Sequence, residues 1–416
     1  MFFKKLELIN RRLLRNCPVY FNWHFNGEKN TNAIVEMRQC ASRYFLHRYP
    51  KLLTTPISYF LLLLWPLNAL RLTFQFTHLC GLSVCRETNK SLIKQFFEQY
   101  YIAIQYFIPP RFYYAYRFFE QENKADISHY LLLNPSDLFA YLNRYQNVDI
   151  INNKLMFSAF CEQKGIPIVS SLACFNMGIA SSIIANNLID PERDVIVKPV
   201  SGSKGDGFML WKYKGNGFYQ TLDQPPVCWD HLIKKLASLS KKRELLLQPR
   251  LFNHPLIADL SNKALISARI VTYKSLSGKI EFFAAVLQIP LGNRLTNNIG
   301  IVSPINKETG KLGDGWLLRP LAIQYQNHPS TNGLITGRKI PFWDEAVELA
   351  LKAHAELDDF ISLGWDIAFT EKGPLLLEGN IAWDIDIIQR PHNMPFGKTK
   401  FAEMVLSRLI ELKNQS

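Results

Sequence analysis

The chain has 416 residues, 48% of them hydrophobic and 20% charged, which is typical of a folded globular protein of two or three domains rather than a disordered one. The formal charge of +13 favours anionic partners such as nucleotides or a phospholipid surface, and the absence of any recognition-helix signature argues against nucleic acid. The seven cysteines include no CxxC pair, which excludes an evident disulfide framework or zinc site.

Residues 1–125 are predicted to form a mainly helical, basic and apolar accessory region. Within residues 1–50, basic and apolar side chains alternate at roughly helical spacing, so a helix there can pack on the protein or lie on an anionic membrane. We find no apolar core followed by a small-residue cleavage site, so a secretory signal is not expected. A cytoplasmic location, with peripheral membrane contact as an open alternative, is therefore predicted.

Residues 57–70, ISYFLLLLWPLNAL, form the most apolar run of the chain. A spanning helix needs about 20 apolar residues, and this run is shorter and interrupted by Pro66 and Asn68. It predicts a buried helix or a shallow membrane-surface segment.

The segment from Leu92 to Glu122 is rich in aromatic residues and predicts helices broken at Pro109-Pro110. Its apolar positions recur at helical spacing, a stripe more typical of a core than of a ligand site. These positions are Leu92, Phe96, Phe97, Tyr100 and Ile104.

From Asn152 onwards, helices and strands are mixed, and antiparallel hairpins are expected rather than regular βαβ units, so the fold class is α+β. The predicted helices cover about 153–165, 229–239, 343–357 and 399–412, and on the third of them Ala346, Val347, Ala350, Leu351, His354 and Leu357 share a face. The predicted strands begin near Pro167 and cover 195–198, 244–249, 265–273 and 280–289, with one more after the glycine loop.

Residues 364–380, GWDIAFTEKGPLLLEGN, predict a β-hairpin that turns near Gly373. Pairing about that turn places Asp366 opposite residue 377 or 378, and strand alternation puts Glu378 and Asn380 on one face. Two facing carboxylates repel each other unless a cation lies between them, and Mg²⁺ is commonly held by one or two carboxylates together with substrate phosphates. The alternative is an ordinary hairpin whose acids face solvent.

The loop SGSKGDG at 201–207 follows the apolar strand ending at Lys198. Its glycines allow backbone N–H groups to cradle an anion, and lysines at 198 and 204 can act as point charges on phosphate. The sequence matches neither the Walker nor the Rossmann pattern. The alternative is a solvated hairpin loop.

Taken together, seven segments in this order resemble the ATP-grasp superfamily, and most closely its sugar-transfer associated branch. The segments are NKLMF around Lys154, VIVKPVSGSKGDGF, LLLQPRLFNHP, LISARIVTY, NNIGIVSPINKETGKL, GWDIAFTEKGPLLLEGN and DIIQRPH. The resemblance implies two α+β subdomains that grip ATP, at about 126–245 with the glycine loop and 246–416 with the metal-binding hairpin, after the accessory region.

The resemblance also implies roles for individual residues, which we carry forward as expectations. Arg269 and Lys198 would be catalytic, and Asp366, Glu378 and Asn380 would bind Mg²⁺. ATP would contact Lys154, Lys198, Ser203, Lys204, Gly205, Gly207 and Gln248. Six further side chains could bind a substrate carboxylate or sugar, or could simply hold their loops: Asn297, Asn298, Arg390, His392, Asp384 and Asp386. Among these the resemblance favours Asn298 and Arg390.

The expected activity is that of an ATP-dependent, ADP-forming carboxylate–amine ligase that forms an acyl phosphate. No Cys/His or Ser/His pairing is evident in the sequence, which suits a reaction without a covalent enzyme intermediate. The branch suggests cell-surface polysaccharide synthesis, with small-molecule or sugar-linked substrates. A phosphotransferase and a nucleotide-binding or membrane-docking module without turnover are the alternatives.

Overall fold

The computed structural model describes residues 33–46, 59–132, 135–182, 190–201, 207–222, 224–292 and 300–414. Within these residues lie two antiparallel sheets of seven strands each, together with helices, so the predicted α+β class is confirmed. The helices are α1 (Ala33–Leu46), α2 (Trp65–Thr88), α3 (Leu92–Gln105), α4 (Arg111–Ala115), α5 (Gln121–Ala125), α6 (Pro135–Leu142), α7 (Asp149–Asn152), α8 (Lys154–Gln163), α9 (Trp229–Ser240), α10 (Pro255–Ala258), α11 (Trp343–Ala355), α12 (Asp386–Gln389) and α13 (Lys400–Asn414).

The first sheet has the order β2-β1-β7-β3-β4-β5-β6 and packs one face against α9. Its strands are β1 (Ala173–Asn176), β2 (Ile179–Ser182), β3 (Val195–Pro199), β4 (Met209–Tyr213), β5 (Phe218–Gln220), β6 (Val227–Cys228) and β7 (Leu245–Pro249). Val195 and Val197 point into the core beneath α9. Because side chains alternate along a strand, Lys198 lies on the other face, and so does Gln248 beside the core residue Leu247.

The second sheet has the order β12-β11-β10-β9-β8-β13-β14. Its strands are β8 (Ser267–Lys274), β9 (Ile280–Pro290), β10 (Gly300–Pro304), β11 (Gly315–Leu317), β12 (Ile323–Tyr325), β13 (Ser362–Thr370) and β14 (Gly373–Asn380). One face is buried beneath α11, and part of the other is covered by α1, α6, α12 and α13. The uncovered part of that second face is therefore open to the first sheet and to ligands.

Most predicted elements from residue 152 onwards are present, with three differences. Ile168 forms only an isolated bridge to Leu376, and the first regular strand begins at Ala173. On α11, Val347 and Leu351 are half-buried, while the buried face includes Leu349 and Ala353. Strand β7 begins at residue 245, one residue later than predicted, and pairs with β3 inside the first sheet.

We call the first sheet with α9 the first lobe, and the second sheet with the helices that cover it the second lobe. The accessory helices pack on the second lobe. Helix α1 contributes to one core with α13, and the Tyr116 hydroxyl donates to Asp386 Oδ1 at 2.6 Å. Arg117 donates to the backbone oxygen of Ala322 at 3.2 Å. The basic helix expected near the start of the chain lies outside the described residues.

Two expectations about the apolar segments are met only in part. In residues 59–70, Trp65 and Ala69 are buried, but Leu63 is 78% exposed and Leu67 is 66% exposed, so the helix is buried on one face only. On α3 the expected core stripe is half-buried at Phe96, Tyr100 and Ile104 and exposed at Leu92 and Phe97, while the polar Gln95 and Gln99 are fully buried. No helix in the described part of the chain is long and apolar enough to cross a membrane.

Candidate active site

The hairpin of β13 and β14 has the predicted register, with Asp366 directly opposite Glu378. A bulge between Asp366 and Ile367 shifts the pairing by one residue. Asn380 lies on the same face, and its amide nitrogen is 3.4 Å from Glu378 Oε1. Two carboxylates and an amide therefore converge. In the part of the chain that is described, no group of three or more His, Cys, Asp or Glu side chains forms a metal site.

Arg269 on the neighbouring strand β8 is directly opposite Asp366. Its Nε lies 2.6 Å from Asp366 Oδ1 and its Nη2 lies 2.9 Å from Oδ2, a bidentate ion pair. Burial disfavours the charged guanidinium, but the Asp366 carboxylate outweighs it and raises the pKa of Arg269. A row of Glu378, Asp366 and Arg269 thus crosses three adjacent strands.

Gln288 on β9 extends this constellation and was not predicted from the sequence. Its amide nitrogen donates to Asp366 Oδ1 at 3.2 Å, so Asp366 is held by two strands at once. A polar residue inside the apolar run FFAAVLQIP is the signal that could have identified it. Its effect is to fix the position of the Asp366 carboxylate.

Two lysines lie near Glu378, with Lys198 on the first sheet and Lys154 on α8, a helix that packs in the core of the second sheet. Lys154 is the first residue of α8, whose N-terminus is capped by Asn153, and its backbone N–H donates to Val200 just after β3. Lys198 lies on β3 on the face opposite the α9 core. Both lysines interact electrostatically with Glu378. The two lobes therefore present opposite charges to each other.

This electrostatic environment shifts two pKa values. Burial lowers the pKa of Lys198 to about 8, with Glu378 opposing the shift and Lys154 adding to it. Burial and the facing Asp366 carboxylate raise the pKa of Glu378, although the two lysines and Arg269 oppose the shift. A bound cation beside Glu378 would relieve this repulsion.

Gln248 lies on the same face of the first sheet as Lys198. Its amide nitrogen donates to Ser171 Oγ at 3.1 Å and to the Val169 backbone oxygen at 3.4 Å.

A cavity of about 480 Å³ opens where the two lobes meet, within the size range of small-molecule sites. The cavity is lined by Asp194, Lys212, Arg250, Leu251, Phe252, Asn253, Ala258, Ser261, Lys263 and Ala264, and its Asp194–Arg250 ion pair is 2.8 Å long.

Only part of the predicted glycine loop is described. Gly207 has a φ of +76°, and a Cβ on it would meet Arg243 Nη1 at 2.6 Å, so the backbone requires glycine here. Ser203, Lys204 and Gly205 lie outside the described residues, as do the predicted substrate residues Asn297 and Asn298.

Arg390 is buried, and its guanidinium stacks on the ring of Trp316 at 4.3 Å. Its Nε is buried without a hydrogen-bond partner, and no carboxylate among the described residues forms an ion pair with it. Burial lowers the pKa of Arg390, although the charge of Glu120 opposes the shift. Trp316 pairs with Val302, which pairs with Gln288, so all three lie on one face. At about 4.8 Å per strand, Trp316 lies roughly 10 Å from Gln288.

The remaining substrate candidates have partners within the protein. His392 Nε2 is 2.8 Å from the Ala285 backbone oxygen, and burial lowers the pKa of this imidazole. Asp386 accepts from Tyr116 and pairs with Arg319, which also lies 4.0 Å from Asp384. These side chains therefore contribute to holding the C-terminal segment on the second sheet.

Two lobes built on antiparallel sheets, with Lys198 on the first near Glu378 on the second, match the class of fold that grips a nucleotide between two sheets. A family model, described as sugar-transfer associated ATP-grasp, matches residues 134–396, which is more than half of the chain. The chain therefore belongs to the sugar-transfer associated ATP-grasp family and has the ATP-grasp fold, as its motifs predict. A search of curated protein sequences found no match.

Solved structures with a similar fold include three that share little sequence with this chain. A D-alanine–D-alanine ligase from Bacillus anthracis complexed with ATP is 12% identical, with 64% of this chain and 68% of that chain covered, at a TM-score of 0.37. The D-cycloserine synthetase DcsG is 12% identical, with 66% and 79% covered, at 0.36. An ADP complex of N5-carboxyaminoimidazole ribonucleotide synthetase is 14% identical, with 65% and 56% covered, at 0.34, so this chain spans little more than half of its length.

Proposed function

We propose that the protein is an ATP-dependent carboxylate–amine ligase that forms ADP through an acyl phosphate. The observation that carries the proposal is the charge arrangement between the lobes: Lys154 and Lys198 face Glu378, which is paired across the hairpin with Asp366. Phosphates need cations on one side and a metal-binding carboxylate set on the other. The family and the named ligases among the similar structures support the same activity.

In the proposed reaction a substrate carboxylate oxygen attacks the γ-phosphorus of ATP, and the bond to the β-phosphate oxygen breaks to release ADP. An amine nitrogen then attacks the acyl carbon, inorganic phosphate leaves, and the nitrogen loses a proton to give the amide. The enzyme contributes positioning and charge neutralisation. Arg269, whose Nε and Nη2 are paired with Asp366, would contact the oxygens of the transferring group through its remaining guanidinium nitrogen.

The donor set on the hairpin fits a hard divalent cation because it consists of carboxylate and amide oxygens, and because Glu378 carries unrelieved repulsion from Asp366. Asp366, Glu378 and Asn380 would hold Mg²⁺. When bound, Mg²⁺ would neutralise phosphate charge. Asp366 is already oriented by Arg269 and Gln288, so this ligand is preorganised.

On the nucleotide side, Lys154 and Lys198 would bind phosphates, and the loop of Ser203, Lys204, Gly205 and Gly207 would cover them. Gln248 lies on the same face of the first sheet as Lys198 and is two residues from Arg250, which lines the cavity. We therefore assign the adenosine part of ATP to that cavity. Because the Gln248 amide is engaged by Ser171 and Val169, it would support the nucleoside site chiefly by shaping it.

On the substrate side, Arg390 is the strongest of the predicted contacts because its buried guanidinium has no acid partner among the described residues. A carboxylate or phosphate group of the substrate would supply the missing charge. Asn298 and His392 remain proposed contacts. The family description supports a sugar-linked substrate, a role in polysaccharide synthesis, and a cytoplasmic location where ATP is available.

The test measures ADP release by the purified protein. Sugar acids and amino acids are supplied as a panel, each with and without an amine, and a Lys198→Ala variant serves as control. Release that needs both an acid and an amine, and that is lost in the variant, is the expected result. Release with a hydroxyl acceptor alone would indicate a phosphotransferase. ATP binding without ADP formation over the whole panel would contradict the ligase proposal.

A further inference from the structure

The helical hairpin formed by residues 59–105 carries an unusual concentration of exposed apolar side chains. Residues 59–63 are helical and lead into α2, which antiparallel contacts join to α3. The exposed large apolar residues of this hairpin are Tyr59, Phe60, Leu63, Leu64, Leu67, Phe74, Leu79, Leu82, Leu92, Ile93, Phe97 and Tyr101. Apolar patches of this kind mark interaction surfaces rather than ordinary solvent-facing helices.

These side chains form one continuous surface. On the first helical segment and α2, positions 60, 63, 67, 74 and 82 recur at helical spacing and follow one face. On α3, Ile93, Phe97 and Tyr101 are four residues apart and form a second stripe. The rings of Phe74 and Phe96 are 4.7 Å apart, and Phe96 contacts Phe97 at 5.7 Å, which joins the two stripes. We call this surface the hairpin face.

The interior of the same hairpin has its own apolar core, which includes Trp65, Leu72 and Ala103, and it also holds two buried glutamines. Gln95 is fully buried and donates to the Gly81 and Lys90 backbone oxygens at 3.2 and 2.8 Å. Gln99 is fully buried and donates to Thr77 Oγ1 at 3.1 Å. The exposed apolar side chains therefore lie outside the core that holds the two helices together. An exposed apolar surface of this kind is stabilised by contact with another apolar phase, such as lipid hydrocarbon.

The charges around the hairpin face are almost all positive. The sequence contains no Asp or Glu between Glu36 and Glu87. The two acids of the hairpin are neutralised within the protein, Glu87 by Arg117 and Glu98 by Lys90. Arg71, Arg86 and Lys94 are exposed and form no ion pair with a described residue. Such a surface complements lipid phosphates.

We infer that the hairpin face is a docking surface for an anionic phospholipid bilayer, into which the helices insert their apolar side chains without crossing it. A second copy of the chain fits less well. A two-fold interface would place the same acid-free face on both sides, so Arg71 and Lys94 would face like charges with no carboxylate to pair with. A bilayer supplies hydrocarbon for the apolar stripes and phosphate for these cations.

The test is flotation of the full-length protein with vesicles of phosphatidylcholine, alone or mixed with phosphatidylglycerol. Wild-type protein should float with the mixed vesicles. Because each buried Leu or Phe favours transfer strongly, a Leu67→Ser/Phe97→Ser variant should lose at least about tenfold in partition coefficient. Leu222→Ser in the first lobe, where Leu222 is 78% exposed, is the matched control and should bind as wild type does.

A second variant tests the contribution of the exposed cations to binding by the hairpin face. Arg71→Gln/Lys94→Gln should weaken binding to the mixed vesicles several-fold and leave binding to phosphatidylcholine unchanged. Thermal unfolding of every variant checks that the fold is retained, and Phe97→Ser alone replaces the double variant if it unfolds. Flotation that persists in the apolar variants would overturn the inference. A dimer that forms without lipid and that dissociates in these variants would also overturn it, because the hairpin face would then bind a second copy of the chain.

Discussion

At the scale of single residues, Glu378 is the most informative position. Burial and the Asp366 carboxylate raise its pKa, and only the neighbouring cations oppose that shift. We predict that Glu378→Gln reduces Mg²⁺-dependent ADP release by about 100-fold or more, since one charged ligand of the metal is lost. The thermal midpoint should stay the same or rise slightly because the repulsion from Asp366 disappears. The matched control is Glu371→Gln in the exposed hairpin turn. Turnover by Glu378→Gln at the wild-type rate would remove the metal site from the hairpin.

Lys198 predicts a pH dependence of nucleotide binding. Its pKa is lowered to about 8 in the free protein, and contact with phosphates would raise it, so binding takes up a proton above pH 8. ATP affinity measured by calorimetry should therefore fall by about tenfold between pH 7 and pH 9. Lys198→Arg keeps its charge over this range and should remove most of the dependence. An equal pH dependence in both proteins would show that another group titrates.

Arg390 predicts a defect confined to the substrate. With an acid that supports ADP release, Arg390→Gln should raise the KM for that acid by about 100-fold, because a buried charge-assisted contact is lost. The KM for ATP and the thermal midpoint should stay unchanged, since no carboxylate among the described residues forms an ion pair with the guanidinium. Arg193→Gln, an exposed position in the first lobe, serves as control. A lower midpoint with unchanged KM would make Arg390 a packing residue.

At the scale of elements, the hairpin and helix α3 show what sequence patterns can and cannot determine. The pairing of Asp366 with Glu378 was predictable because a short turn at Gly373 fixes the register of two adjacent strands. Periodicity identified the stripe on α3 but not the direction it faces, because buried Gln95 and Gln99 obtain partners from α2. Partners of this kind come from tertiary packing, which no local pattern contains.

The same limit applies to residues brought together by non-adjacent strands. Gln288 on β9 contacts Asp366 on β13 because only β8 separates these two strands in the sheet. Trp316 on β11 contacts Arg390, which follows α12, although the two residues are far apart in sequence. Their chemical types were visible in the sequence, but the strand order was not. The Mg²⁺ candidates, which are close in sequence, and Arg269 were named from the sequence, whereas Gln288, which also positions Asp366, was not.

Helix α11 gives a prediction about acid stability, since His354 anchors it to the sheet through Thr272 Oγ1 at 2.7 Å and the Phe360 backbone oxygen at 3.0 Å. Burial lowers the pKa of His354 to about 4. Between that value and about 6.5, the ordinary histidine pKa, the unfolded chain binds the additional proton, so acidification destabilises the fold. Going from pH 7 to pH 5 should cost about 2 kcal/mol through this group.

The measurement is the fall in thermal midpoint between pH 7 and pH 5 in wild type and in His354→Gln, whose amide does not titrate. The other titrating groups are common to both proteins and cancel in the difference. The wild-type midpoint should fall further than that of the variant. Equal falls would mean that His354 is protonated in the folded protein with little penalty.

At the scale of the whole molecule, the proposed site belongs to neither lobe alone. Lys198 lies on the first lobe and the carboxylates lie on the second, so a nucleotide bound between them would tie the two sheets together. The opposed charges already favour the approach of the lobes in the absence of ligand. Binding would therefore appear as stabilisation of both lobes rather than as a local change.

Hydrogen exchange can measure this coupling with a non-hydrolysable ATP analogue and Mg²⁺. Ligand at 100 times its Kd stabilises the native state by about 2.7 kcal/mol, and we expect slower exchange both in β3 and in the β13–β14 hairpin. Lys198→Ala, on the first lobe, should abolish the protection of the hairpin on the second lobe as well as that of β3. Protection of β3 alone would mean that the nucleotide binds one lobe without closing the other over it, and the carboxylate hairpin would then need a different ligand.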